Sequence, residues 1–100
     1  MRIWLDDVRL PPDGYSIHVG TAHGAIGILR TGMVTFISFD HDLGPDENGT
    51  GYDVAKWIEE NAYSGLLRSI EWEIHSANPI GRNNIEKAML NAKKFWNKDE

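Results

Sequence analysis

The chain contains no cysteine, which excludes disulfides and thiolate metal sites and fits a reducing compartment. It also lacks any apolar run of membrane-spanning length. Met1-Arg2-Ile3-Trp4-Leu5 meets Asp6 and Asp7 too early to read as a signal peptide. These absences lead us to expect a cytoplasmic protein. Positive charge is scarce: ten Lys and Arg face fifteen Asp and Glu, a formal net charge of −5. No basic patch stands out, so general DNA binding by phosphate neutralisation is disfavoured. A phosphate ligand stays compatible with this acidity if a divalent cation supplies the missing charge. No internal repeat, low-complexity tract or Walker-type glycine spacing is present.

What is present suits a single domain over residues 1–100: 41% of the residues are hydrophobic, including four Trp, three Tyr and three Phe. Arg2 to Leu5 reads as a buried strand that stops at two carboxylates. Pro11-Pro12-Asp13-Gly14 is a turn, and Ile17 to Val19 a short second strand. Thr21 stands at a helix N-cap ahead of Ala22, Ala25, Ile26 and Leu29, the stripe of one helix face, and Thr31-Gly32 closes that helix. Val34 to Phe39 is β-branched and aromatic, a strand ending at Asp40-His41-Asp42. A loop rich in glycine follows, then a helix from about Tyr52 or Asp53. Ile70, Trp72 and Ile74 alternate with Glu71 and Glu73 in a strand with one wetter face, which ends at His75-Ser76. After Asn78-Pro79 a last helix carries Ile85, Ala88, Met89, Ala92 and Trp96.

This alternation predicts an α/β domain with a mainly parallel sheet. Such sheets bind ligands beyond the carboxyl ends of their strands. Three of the four strands here end in acids, imidazoles or a hydroxyl. Asp6, Asp7, Asp40 and Asp42 are oxygen donors suited to Mg²⁺ or Mn²⁺. His41 and His75 can exchange protons near neutrality. Ser76, Asn78 and Arg82, ahead of and within the first turn of the last helix, are donors for phosphate oxygens. His18 and His23 read as structural or surface residues, the tryptophans as core, and Gly44, Gly49 and Gly51 as turn formers.

At these residues the pattern becomes recognisable. Leu5-Asp6-Asp7, Val19-Gly20-Thr21-Ala22, the strand from Ile37 to Asp40 and the strand ending at Ser76 resemble the elements of response-regulator receiver domains. More narrowly, Leu5-Asp6-Asp7-x-Arg9-x-Pro11, Asp40-His41-Asp42-Leu43-Gly44, Thr50-Gly51-Tyr52-Asp53 and His75-Ser76-x-Asn78-Pro79-x-Gly81 resemble the cyclic-phosphate processing receiver-like family. The likeness runs from Arg2 to about Met89. It implies a flavodoxin-like three-layer fold, reduced to four strands in the order 2-1-3-4 with three helices. It further implies a divalent cation on Asp6 or Asp7 and on Asp40, with Asp40 matching the phosphoacceptor and Ser76 touching phosphate.

The fifth strand and strand-end Lys of ordinary receivers are missing, because the chain passes from Pro79 into its last helix. That weakens a phosphorelay role, and the resemblance implies instead metal-dependent opening of a cyclic phosphate, on a cyclic nucleotide or a cyclic-ended RNA fragment. His41 or His75 would activate water, or Asp40 would itself be the nucleophile. A non-catalytic module that binds cyclic nucleotides and a phosphoacceptor signalling domain are the alternatives. Open sheet edges would permit a homodimer.

Overall fold

A computed structural model describes residues 1–98. Four strands, β1 (Arg2–Leu5), β2 (Ile17–Val19), β3 (Phe36–Phe39) and β4 (Glu71–Ile74), form one parallel sheet in the order β2-β1-β3-β4. Three helices accompany it: α1 (Ala22–Leu29), α2 (Gly51–Tyr63) and α3 (Pro79–Asn97). This is the expected receiver-like α/β arrangement. A short 3₁₀ turn over Asp46–Asn48 fills the loop before α2.

The helices begin where local chemistry starts them. Thr21 accepts the Gly24 amide at the start of α1. Thr50 and Asp53 form a reciprocal capping box on α2. Asn78 accepts the amides of Ile80 and Gly81, with Pro79 at the first helical position of α3. Among the described residues, no helix is long and apolar enough to cross a membrane.

Side chains alternate across a strand, so the registers decide what each face carries. Ile3 and Leu5 of β1 lie beside Ile37 and Phe39 of β3, which lie beside Trp72 and Ile74 of β4. Ile3, Leu5, Ile37 and Phe39 share one hydrophobic cluster with Leu29 of α1, Val54 and Ile58 of α2, and Ile85 and Met89 of α3. All three helices therefore cover the same face.

The expected three layers are modified on the other side. The connection through Pro11 and Pro12 forms no helix, so that face is left to the loop between β1 and β2. Trp4 is 7% exposed there and donates its indole N–H to the Arg9 carbonyl, 2.8 Å away. Tyr15 meets the Trp4 ring edge to face, and the Arg2 guanidinium lies 4.0 Å from the Phe36 ring centre. Glu71 and Glu73 lie exposed on this wetter face, as their alternation implied.

Gly51 lets α2 start directly against the end of β3. A Cβ there would collide with the Asp40 carbonyl oxygen, which is backbone and cannot yield. Gly51→Ala should lower stability by about 1–3 kcal/mol. Urea unfolding followed by far-UV circular dichroism reads that loss directly.

Candidate functional site

The site grows out of the sheet register. Leu5, Phe39 and Ile74 are the last paired residues of β1, β3 and β4, and the next residue on each strand is Asp6, Asp40 or His75. The ladder continues through them: Asp40 donates its amide to Leu5 at 2.9 Å and His75 donates to Phe39 at 2.9 Å. Alternation turns all three side chains to the face opposite the helices. One ligand atom from each lies within 4.8 Å of the others, close enough for one metal ion to meet all three.

The two carboxylates in this row differ sharply. Asp6 is 1% exposed. Its Oδ1 accepts the amides of Val8 and Arg9, each at 2.8 Å, while Oδ2 takes His75 Nε2 at 3.0 Å and Arg9 Nε at 3.1 Å. A carboxylate offers about four acceptor positions, so Asp6 is saturated. Burial alone would raise its pKa, but the Val8 and Arg9 amides, His75 and the Arg9 charge together hold it below the ordinary 3.8. His18 Nε2 donates to the Asp6 carbonyl at 2.7 Å, which gives that ring the structural role expected of it.

Asp40 is 8% exposed, yet its carboxylate accepts no hydrogen bond among the described residues. Its nearest cation is Arg9 Nη2, at 3.9 Å.

The histidines differ in the same way. The His75 ring stacks on Trp4 with centres 3.8 Å apart and planes 3° from parallel. Its Nε2 meets Asp6, and its Nδ1 lies 2.7 Å from Ser38 Oγ, itself 3.1 Å from Glu73 Oε1. Tyr15 donates to the same Glu73 oxygen at 2.8 Å. Asp6 can only accept, so Nε2 carries a proton toward it, while the one Ser38 hydroxyl proton is shared between Glu73 and Nδ1. Burial depresses the His75 pKa and outweighs the opposing pull of Asp6, which favours the neutral ring. Both ring nitrogens are engaged and the ring is clamped.

His41 falls on the helix side, its ring pressed against Gly81 of α3 so closely that a Cβ on Gly81 would overlap it. His41 Nδ1 lies 3.0 Å from Asp42 Oδ1. Among the described residues Nε2 has no partner. The His41 hydrogen bond is also the main cause of a lowered pKa at Asp42.

The remaining expected ligands are placed elsewhere. Asp7 and Asp42 do not join the metal-sized cluster. Asp7 lies in the bend after β1, with its Oδ2 beside Gly44. Asp42 lies beyond the strand end, in an isolated bridge to Thr50, and takes His41 and the Asn78 side-chain amide. Ser76 is buried, with its Oγ accepting the Asn78 amide at 3.1 Å. Asn78 spends its oxygen on capping α3. Arg82 donates to the Ile74 carbonyl at 2.7 Å. With Trp72 and Glu86 it lines a recess of about 360 Å³ on the other side of β4.

Arg9, Ser38 and Trp4 received no site role from the sequence. The spacing Asp6-x-x-Arg9 and a lone hydroxyl between Ile37 and Phe39 were the available signals.

A family model described as the cyclic-phosphate processing receiver domain matches residues 1–91. The chain belongs to that family. No curated protein and no solved structure matches it. The match covers every strand and most of α3, so the row of Asp6, Asp40 and His75 lies wholly inside the cyclic-phosphate processing receiver domain.

The contrast between the two carboxylates gives an expectation of opposite sign. Asp6→Asn should destabilise the domain by about 1.5–3 kcal/mol, because charge-assisted bonds are lost. Asp40→Asn should stabilise it by about 0.5–2 kcal/mol by relieving repulsion from the nearby Asp6 carboxylate. Chemical denaturation midpoints of the two variants should move in opposite directions.

Proposed function

We propose that this domain is a metal-dependent phosphoesterase that opens cyclic phosphodiesters, such as a 2′,3′-cyclic nucleotide or a cyclic-phosphate RNA end. The observation that carries the reading is the Asp40 carboxylate, which accepts no protein hydrogen bond among the described residues and keeps its oxygens open to solvent. Its nearest cation, Arg9 Nη2, is 3.9 Å away. A carboxylate so little engaged by the protein is free to meet an incoming cation. The family's description supplies the substrate class.

The donor set fits a hard cation: the Asp6 and Asp40 carboxylates converge, and oxygen donors suit Mg²⁺ or Mn²⁺. Asp40 would hold the ion directly, with Asp6 Oδ2 as the second oxygen. Bound there, the ion would offset the negative charge of the phosphodiester and polarise its P–O bonds.

The protein's own groups divide the remaining work. His41 Nε2 has no partner among the described residues while Asp42 holds Nδ1, which supports His41 as the proton acceptor for the attacking water. Its ring lies on the helix side of the strand end, so the phosphodiester would have to reach over that end from Asp40. The new P–O bond forms as one ring P–O bond breaks, and the departing oxygen takes a proton from solvent. The Ser76 hydroxyl, whose oxygen is fixed by the Asn78 amide, keeps its proton for a nonbridging oxygen. His75, tied at both nitrogens, positions Asp6.

A free Asp40 carboxylate also suits an acyl-phosphate acceptor. Against that reading, Lys56, Lys87, Lys93 and Lys94 all sit exposed on α2 or α3, and no Lys follows a strand.

A screen of 2′,3′-cyclic nucleotides and cyclic-ended RNA with Mg²⁺ or Mn²⁺ should reveal turnover that a chelator abolishes. Asp40→Asn and His41→Ala should each lower kcat/KM by more than about tenfold. A ligand that binds yet stays unchanged after long incubation would make this a sensing module. A labile adduct on Asp40 after acetyl phosphate treatment would make it a signalling domain.

A further inference from the structure

We propose that Arg9 is a built-in counter-cation, which competes with a divalent cation for the Asp6–Asp40 pair and must swing away before the ion can bind. The inference rests on the cation reading above and concerns how that site is regulated.

Two carboxylates with oxygens this close repel unless positive charge lies near both. Arg9 supplies it, with Nε 3.1 Å from Asp6 Oδ2 and Nη2 3.9 Å from Asp40 Oδ2. A second Nη2 contact, 3.3 Å from the His75 carbonyl, fixes the plane of the guanidinium. Arginine stays charged at any working pH, so no proton loss removes it. Only displacement can.

The geometry identifies the contested position. Asp6 Oδ1 is consumed by the backbone amides of Val8 and Arg9, so an incoming ion must use Oδ2. That oxygen holds two donors, His75 Nε2 and Arg9 Nε. His75 cannot leave easily, because Trp4 stacks on it and Ser38 holds its other nitrogen. Arg9 can. Its side chain is 54% exposed. Its neighbours Val8 and Leu10 are 78% and 79% exposed, so they do not pack over it.

The backbone underneath is anchored by the two amide bonds to Asp6 and by the Trp4 indole on the Arg9 carbonyl. The motion is therefore a change of side-chain rotamer with the loop held in place. Once released, the guanidinium presents its fork of donors to phosphate oxygens.

The test measures metal affinity and needs no turnover. Free Mn²⁺ is followed by electron paramagnetic resonance during titration of the wild-type chain, Arg9→Gln and Arg9→Lys. Removing the competing charge should tighten Mn²⁺ binding in Arg9→Gln by about tenfold or more. Arg9→Lys, which keeps the charge, should stay within about threefold of wild type. Equal or weaker binding by Arg9→Gln overturns the competition while the cation reading survives. If none of the three proteins retains Mn²⁺, both fail.

A second measurement needs no substitution. Titrating Mg²⁺ into the ¹⁵N-labelled wild-type protein should shift the Arg9 Nε–H resonance toward that of a solvated guanidinium. Saturation with Mg²⁺ while that resonance stays in place also overturns the proposal.

Discussion

The carboxyl edge of this sheet is organised around one buried anion. The Asp6 carboxylate draws two amides from the β1–β2 loop, an imidazole from the end of β4 and a guanidinium from that same loop. Its backbone is held in turn by Val19 and by His18. Removing a carboxylate from water is expensive, and charge-assisted hydrogen bonds are the strong contacts that offset it. A loop without a helix and two strands with β3 between them are thereby fastened at a single point. The orientation of His75, the path of the Arg9 backbone and the seat of Trp4 all follow from it.

Against that saturated group stands Asp40, its neighbour in the register, which has almost nothing. Neighbouring groups of one chemical type that differ so much in surroundings divide their roles. The satisfied acid and the clamped imidazole form the frame. The acid lacking donors and the imidazole with an open nitrogen are left to meet a ligand. On the proposed function, stability and reactivity would fall to different members of one row and its margin, so that a domain of this size could host a reactive centre without loosening its core.

Much of this was legible in the chain. Strands that stop abruptly at Asp6, Asp40 and His75 declared both the parallel α/β plan and the place of the site, because parallel strands bring equivalent ends together. Thr21 marked a helix start through ordinary capping chemistry, whereas the Thr50–Asp53 capping box, which starts α2 at Gly51, and the Asn78 cap of α3 were not read as such. What the chain did not disclose is which way each polar side chain faces once its strand has ended. Asp6 and Asp7 look interchangeable in a sequence, but the backbone bends after Asp6, and only Asp6 joins Asp40 and His75. Asp42 likewise shares the composition of a metal ligand, although the turn after β3 delivers it to His41. Arg9 was hidden for a different reason: a cation in a loop reads as solvated until the fold lays that loop over two buried acids. The one-sided helical cover had a visible cause in Pro11 and Pro12, whose consequence for the second face depends on the whole topology.

Among the described residues no strand pairs with the outer side of β4. His75 points its amide toward β3, so alternation directs the Ile74 carbonyl outward, where the Arg82 guanidinium receives it at 2.7 Å. A foreign strand aligning there would have to expel a bound cation to gain a single ladder bond. Such an edge discourages runaway stacking between molecules. The guanidinium that sequence patterns assign to ligand recognition is thus spent, in this position, on the open edge of the sheet.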